Sequence, residues 1–115
     1  MPAWYRVENV ADEIFRLSVA ELRERYQPDQ LLWIDARSSE QYQAGHVDGA
    51  RSLNEENWAE QLWRMHSELE NLNGLAIVVY CDGKACQRSA RVAGRLRSEM
   101  GLEPVWILRG DWQDW

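Results

Sequence analysis

Ile77-Val78-Val79-Tyr80-Cys81-Asp82-Gly83-Lys84-Ala85-Cys86-Gln87-Arg88-Ser89 is the stretch on which the fold turns. Its first four residues are β-branched or aromatic, the side chains that pack best on a pleated surface, and they predict a strand. A glycine-bearing loop follows. From Arg88 or Ser89 onward, Val92, Ala93, Leu96 and Met100 recur on one face of a helix that Gly101 ends as a left-handed cap. Cys81 therefore stands where a strand ends and a loop leads into a helix N-terminus.

Two other short apolar runs, Leu31-Leu32-Trp33-Ile34 and Val105-Trp106-Ile107-Leu108, have the continuous hydrophobicity of strands buried on both faces, and Asp35 closes the first. Ser18-Val19-Ala20-Glu21 fits a capping box and opens a helix from about Ser18 to Tyr26, which Pro28 and Asp29 end. With Asn54 as its N-cap, Trp58, Leu62, Met65, Leu69 and Leu72 predict one amphipathic helix that stops at Asn73-Gly74. Strand and helix alternate, which calls for a mostly parallel sheet with helices on both faces. Ligands of such sheets bind outside the carboxyl ends of the strands, and Cys81 is there.

At 115 residues the chain has the length of a single domain, residues 1–13 reading as an N-terminal extension and 14–115 as its core. A composition 45% hydrophobic and 28% charged is that of a globular protein. The net charge of -6 repels a phosphate backbone or an anionic bilayer surface, so neither nucleic acid nor membrane is an expected partner. Without an apolar stretch near Met1 of the kind a signal peptide carries, the expected location is cytoplasmic. Two cysteines and two histidines make neither a disulfide scaffold nor a zinc site, so no metal is expected. The seven tryptophans have no repeat period and are assigned to packing.

A thiol reacts as its thiolate, which backbone N–H groups, a helix N-terminus or basic side chains favour. The loop after Cys81 can supply all three: Gly83 permits a sharp turn, the peptide N–H groups from about Gly83 to Arg88 can point inward as an anion nest, and Lys84 and Arg88 add positive charge. Asp82 opposes this unless its carboxylate points to solvent. The competing account is that Cys81 is a small apolar residue filling a strand end, which is common for free cysteine. The spacing alone leaves both open.

The chain resembles the rhodanese superfamily from about Ile14 to Trp115. Leu32-Trp33-Ile34-Asp35-Ala36-Arg37, then Glu40, Tyr42, Gly45-His46-Val47 and Gly49-Ala50, are similar to the family's Asp-x-Arg and Gly-His-Ile-x-Gly-Ala signature. Val79-Tyr80-Cys81 with Ser89-Ala90 and Ala93 form a second block, and Leu108-Arg109-Gly110-Asp111-Trp112 with Trp115 resemble the closing Leu-x-Gly-Gly-Trp motif. The resemblance implies a three-layer α/β/α fold around a mostly parallel five-stranded sheet. It also implies a thiosulfate sulfurtransferase-like activity that carries sulfane sulfur as a Cys81 persulfide, without a cofactor. Cys81 takes the catalytic place; Asp82, Gly83, Lys84, Ala85, Cys86, Gln87 and Arg88 take that of the substrate-binding loop. Asp35, Arg37 and His46 match positions that brace the fold. The sequence departs from the family in a loop about two residues longer than in the commonest single-domain members, and in Asp111 where the closing motif has its second glycine.

The implied partners are a small sulfur donor such as thiosulfate and an acceptor such as cyanide, glutathione or a thioredoxin-like thiol. Two alternatives share the fold. A phosphatase or arsenate reductase pairs its cysteine with an arginine after five intervening residues, whereas Arg88 follows six, which misplaces an oxyanion fork. A non-catalytic rhodanese-like interaction module often lacks the cysteine present here. Cys86 either resolves a Cys81 persulfide into a disulfide, accepts sulfur itself, or fills space at the helix start. His66, on the polar side of its helix, reads as a surface residue.

Overall fold

A computed structural model describes residues 14–82 and 87–115. Strands β1 (Arg16–Ser18), β2 (Leu31–Asp35), β3 (Arg51–Ser52), β4 (Ala76–Tyr80) and β5 (Val105–Arg109) form one sheet in the order β1-β5-β4-β2-β3. Every pairing is parallel. The helices are α1 (Val19–Arg25), α2 (Ser39–Ala44), α3 (Trp58–Arg64), α4 (His66–Glu70) and α5 (Arg88–Met100).

Local chemistry explains most of these boundaries. Ser18 caps α1 in a complete capping box with Glu21, and Ser38 does the same for α2 with Gln41. Gly101, at φ 65°, ends α5 in the left-handed conformation that costs a residue without Cβ least. The strands β2 and β4 are buried nearly throughout, as continuous apolar runs require.

Two apolar layers lie on opposite faces of the sheet. One gathers Ile34, Ile77, Val79 and Cys81 with Val92, Ala93 and Leu96 of α5 and Met65 and Leu69 beyond α3. The other gathers Trp33, Val78 and Tyr80 with Leu22 of α1, Val47, Ala50 and the partly buried Tyr42, Trp112 and Trp115. Successive residues of a strand face opposite ways, so Tyr80 and Cys81 part company here.

The expected single helix after Asn54 is two. Met65 departs from helical geometry at φ -112°, ψ 13°, dividing α3 from α4, while its side chain stays in the core. The apolar spacing was right about the buried face, and burial tolerates a break that spacing alone does not reveal. Asn54 is also not the helix N-cap: its Oδ1 accepts from the Asn57 backbone N–H at 2.9 Å, in the turn preceding α3. Asn57 occupies the cap position without a side-chain bond.

Candidate functional site

The connections from β2 and β4, which are neighbours in the sheet, leave in opposite directions. From β2 the chain runs through α2 and Val47 on the Tyr80 side of the sheet to the edge strand β3. From β4 it runs through α5 on the Cys81 side toward β5. Such a divergence is the switch point at which parallel sheets open a crevice beyond their strand ends. Asp35 is in register with Tyr80, and the Ala36 N–H donates to the Tyr80 carbonyl at 2.9 Å. The Asp35-Ala36-Arg37 and Tyr80-Cys81-Asp82 segments therefore emerge side by side.

Cys81 is 6% exposed. Burial of that degree by itself suits a packing role, but the sulfur has polar company. The Ser89 backbone N–H, at the second position of α5, donates to Sγ at 3.4 Å, and the Ser89 hydroxyl lies 3.2 Å from Sγ. Cys81 is disulfide-bonded. Neither a disulfide sulfur nor a thiolate carries a proton, so in both forms the hydroxyl must be the donor. A helix N-terminus and a buried hydroxyl thus converge on one sulfur, an arrangement that favours negative charge there.

Beneath this lies a buried ion pair. The Arg37 guanidinium donates to Asp35 through Nε and Nη2, the latter at 2.7 Å, and also to the Gly45 carbonyl at 2.5 Å. The hydrogen bond to Asp35 raises the Arg37 pKa above its ordinary value. Tyr80 donates to Asp35 at 3.0 Å and accepts from the Val47 N–H at 3.0 Å. Burial pushes its phenol above the ordinary range, so it remains a donor. The ring of Trp112 packs 4.9 Å from the guanidinium carbon.

Among the expected loop residues, Asp82 is half exposed but does not simply face water. Gln41 Nε2 donates to its Oδ2 at 2.7 Å, and Arg37 Nη1 approaches its Oδ1 to 3.9 Å. Gln87 is the exposed N-cap position of α5, with no side-chain cap bond, and Arg88 is its first residue. Gly83, Lys84, Ala85 and Cys86 lie outside the described residues, and with them most of the expected anion nest. A cavity of about 230 Å³ is lined by Arg37, Gln41, Ala44, Gly45, Trp112 and Gln113.

His46 is stacked on Tyr42 and bonds its carbonyl through Nδ1 at 2.6 Å, a bracing role. His66 is an exposed residue stacked on Trp63. Two site residues escaped the sequence reading as such. Ser89 stood in a motif without a role, although its place one residue into a predicted helix was a usable signal. Gln41 had none, because its partner is 41 residues away. Among the described residues no group of His, Cys, Asp and Glu is arranged to hold a metal, and no helix is long and apolar enough to cross a membrane.

Ser89→Ala is expected to slow alkylation of the reduced Cys81 thiol at neutral pH by about tenfold to a hundredfold, since a bond to an ionised group contributes roughly 1.5–3 kcal/mol. Iodoacetamide kinetics followed by mass spectrometry check it, and a rate equal to wild type would leave the hydroxyl without influence on the sulfur.

A parallel sheet covered on both faces, with a cysteine at the carboxyl end of its central strand and the N-terminus of a helix on the sulfur, defines the class: an α/β protein with a cysteine sulfur at the switch point of its sheet. The Rhodanese-like domain model matches residues 18–115. The chain belongs to that family. Its fold is similar to that in the crystal structure of the BH2092 protein from Bacillus halodurans, with a TM-score of 0.65 at 19% identity, covering 97% of this chain and 79% of that one. Among curated proteins none matches.

Proposed function

We propose that the protein is a sulfurtransferase that carries sulfane sulfur on Cys81. The observation behind this is the pair of donors from Ser89 on the Cys81 sulfur at the switch point of the sheet. In the first half-reaction the Cys81 thiolate attacks the outer sulfur of a donor such as thiosulfate. A new S–S bond forms, the old one breaks, and sulfite leaves with the bonding electron pair. In the second, cyanide or an acceptor thiolate, such as that of glutathione or a thioredoxin-like protein, attacks the outer sulfur of the persulfide. The electron pair of the broken bond then returns to Cys81.

At no stage does the enzyme sulfur need to be neutral, so fixed donors directed at it stabilise the start, the end and the charge that develops between. The chemistry uses no metal or organic cofactor. A cytoplasmic setting, where thiol reductants are abundant, suits it.

The test is intact mass and peptide mapping of reduced protein after exposure to thiosulfate or a persulfide donor. Wild type and Cys86→Ser are expected to gain one sulfur on the Cys81 peptide, and Cys81→Ser none. A sulfur retained in Cys81→Ser would move the carrier to Cys86. No loading from any donor would leave a binding module in place of an enzyme.

A further inference from the structure

We propose that Gln41 is a positioning residue for the Cys81 thiolate, acting through Asp82. The inference rests on Cys81 being the reacting sulfur, but thiol ionisation is measurable whether or not any sulfur is transferred. Asp82 follows Cys81 directly, and a carboxylate so near a thiolate destabilises it. The structure shows how that charge is managed. Tyr80 and Arg37 belong to one side of the sheet, with Trp112 over the guanidinium, whereas Cys81 belongs to the other, beneath α5. Gln41 holds Asp82 at 2.7 Å, with Arg37 3.9 Å away, so the carboxylate is drawn to the side opposite the sulfur and toward positive charge.

Gln41 is itself fixed. Its backbone N–H donates to the Ser38 hydroxyl at 3.2 Å, and its Oε1 accepts from the Ser38 backbone N–H at 3.2 Å, completing the capping box of α2. The amide therefore has one end committed to the helix cap, leaving its NH2 directed at the loop. Arg37 cannot do this alone, because its Nε and Nη2 are occupied by Asp35 and Gly45. Among the described residues, the other charged or titratable groups on the neighbouring segments are Asp35 and Tyr80, bonded to each other, Arg88 at the head of α5, and Arg91, paired with Glu55 at 2.7 Å.

Gln41→Glu keeps the capping box, which accepts glutamate as readily as glutamine. It replaces the donor to Asp82 with a like charge and frees the carboxylate to turn. In a Cys86→Ser background, so that one thiol remains, the pH profile of iodoacetamide alkylation is the readout. The half-maximal pH is expected to move upward in Gln41→Glu, with alkylation at pH 7 about threefold to tenfold slower, the effect of a single nearby charge partly screened by water. Gln41→Met, which removes the donor without adding charge, is expected to move it in the same direction by less.

Asp82→Asn alone is expected to change the profile little, and to restore it when combined with Gln41→Glu. Superimposable profiles for wild type, Gln41→Glu and Gln41→Met would overturn the proposal. So would a Gln41→Glu shift that persists in the double variant, since the effect would then be the new charge acting directly. Neither result bears on persulfide formation, which the mass measurement reads separately.

Discussion

Arg37→Met is expected to lower the free energy of unfolding by about 3–5 kcal/mol, the cost of leaving a buried charge without its partner. Arg37 is 6% exposed and Asp35 is fully buried. The guanidinium supplies Asp35 with three hydrogen bonds and holds the Gly45 carbonyl as well. After substitution the carboxylate retains the Tyr80 hydroxyl and the Arg37 backbone N–H, neither of which carries charge. Chemical denaturation in urea measures the loss. A second variant, Asp35→Leu with Arg37→Met, is expected to lose less than the sum of the two single changes, because removing both charges leaves none unpaired. A cost below about 1 kcal/mol for Arg37→Met would show that water or a local rearrangement satisfies Asp35, and that the pair is not what joins β2 to the turn at Gly45.

That ion pair also marks the limit of what the amino-acid order conveys. The runs 31–34, 77–80 and 105–108 are apolar enough to name three central strands, and each is found within one residue of its expected ends. The edge strands Arg16–Ser18 and Arg51–Ser52 are too short to carry a period, and only their partners in the sheet define them. Position 81 as a strand-end cysteine was legible from local pattern. The direction of Asp82 was not, because it depends on Gln41 and Arg37, which reach it only once β2 and β4 pair. The same holds for Ser89: its role requires the first turn of α5 to sit on the sulfur, a tertiary fact. Bracing roles for Asp35 and His46 followed from family resemblance and match their contacts. Arg37 does more, because it also faces the first residue of the loop.

Protein handled without reductant is expected to take up no sulfur, and reduction is expected to restore loading fully. Cys81 is disulfide-bonded, and a sulfur in that state has no thiolate with which to attack a donor. Two electrons from a thiol reductant, leaving as the reductant's own disulfide, must arrive before the first half-reaction. The chain contains one other cysteine, Cys86. Without it Cys81 has no cysteine of its own chain to pair with, so Cys86→Ser is expected to load sulfur with or without prior reduction. Its alkylation rate before and after treatment should likewise be the same. Intact mass after exposure to thiosulfate, with and without a reduction step followed by removal of the reductant, reads all of these states. Equal loading of untreated and reduced wild type would show that the disulfide does not control access to the sulfur, and would leave its burial beside Ser89 as the feature that sets reactivity.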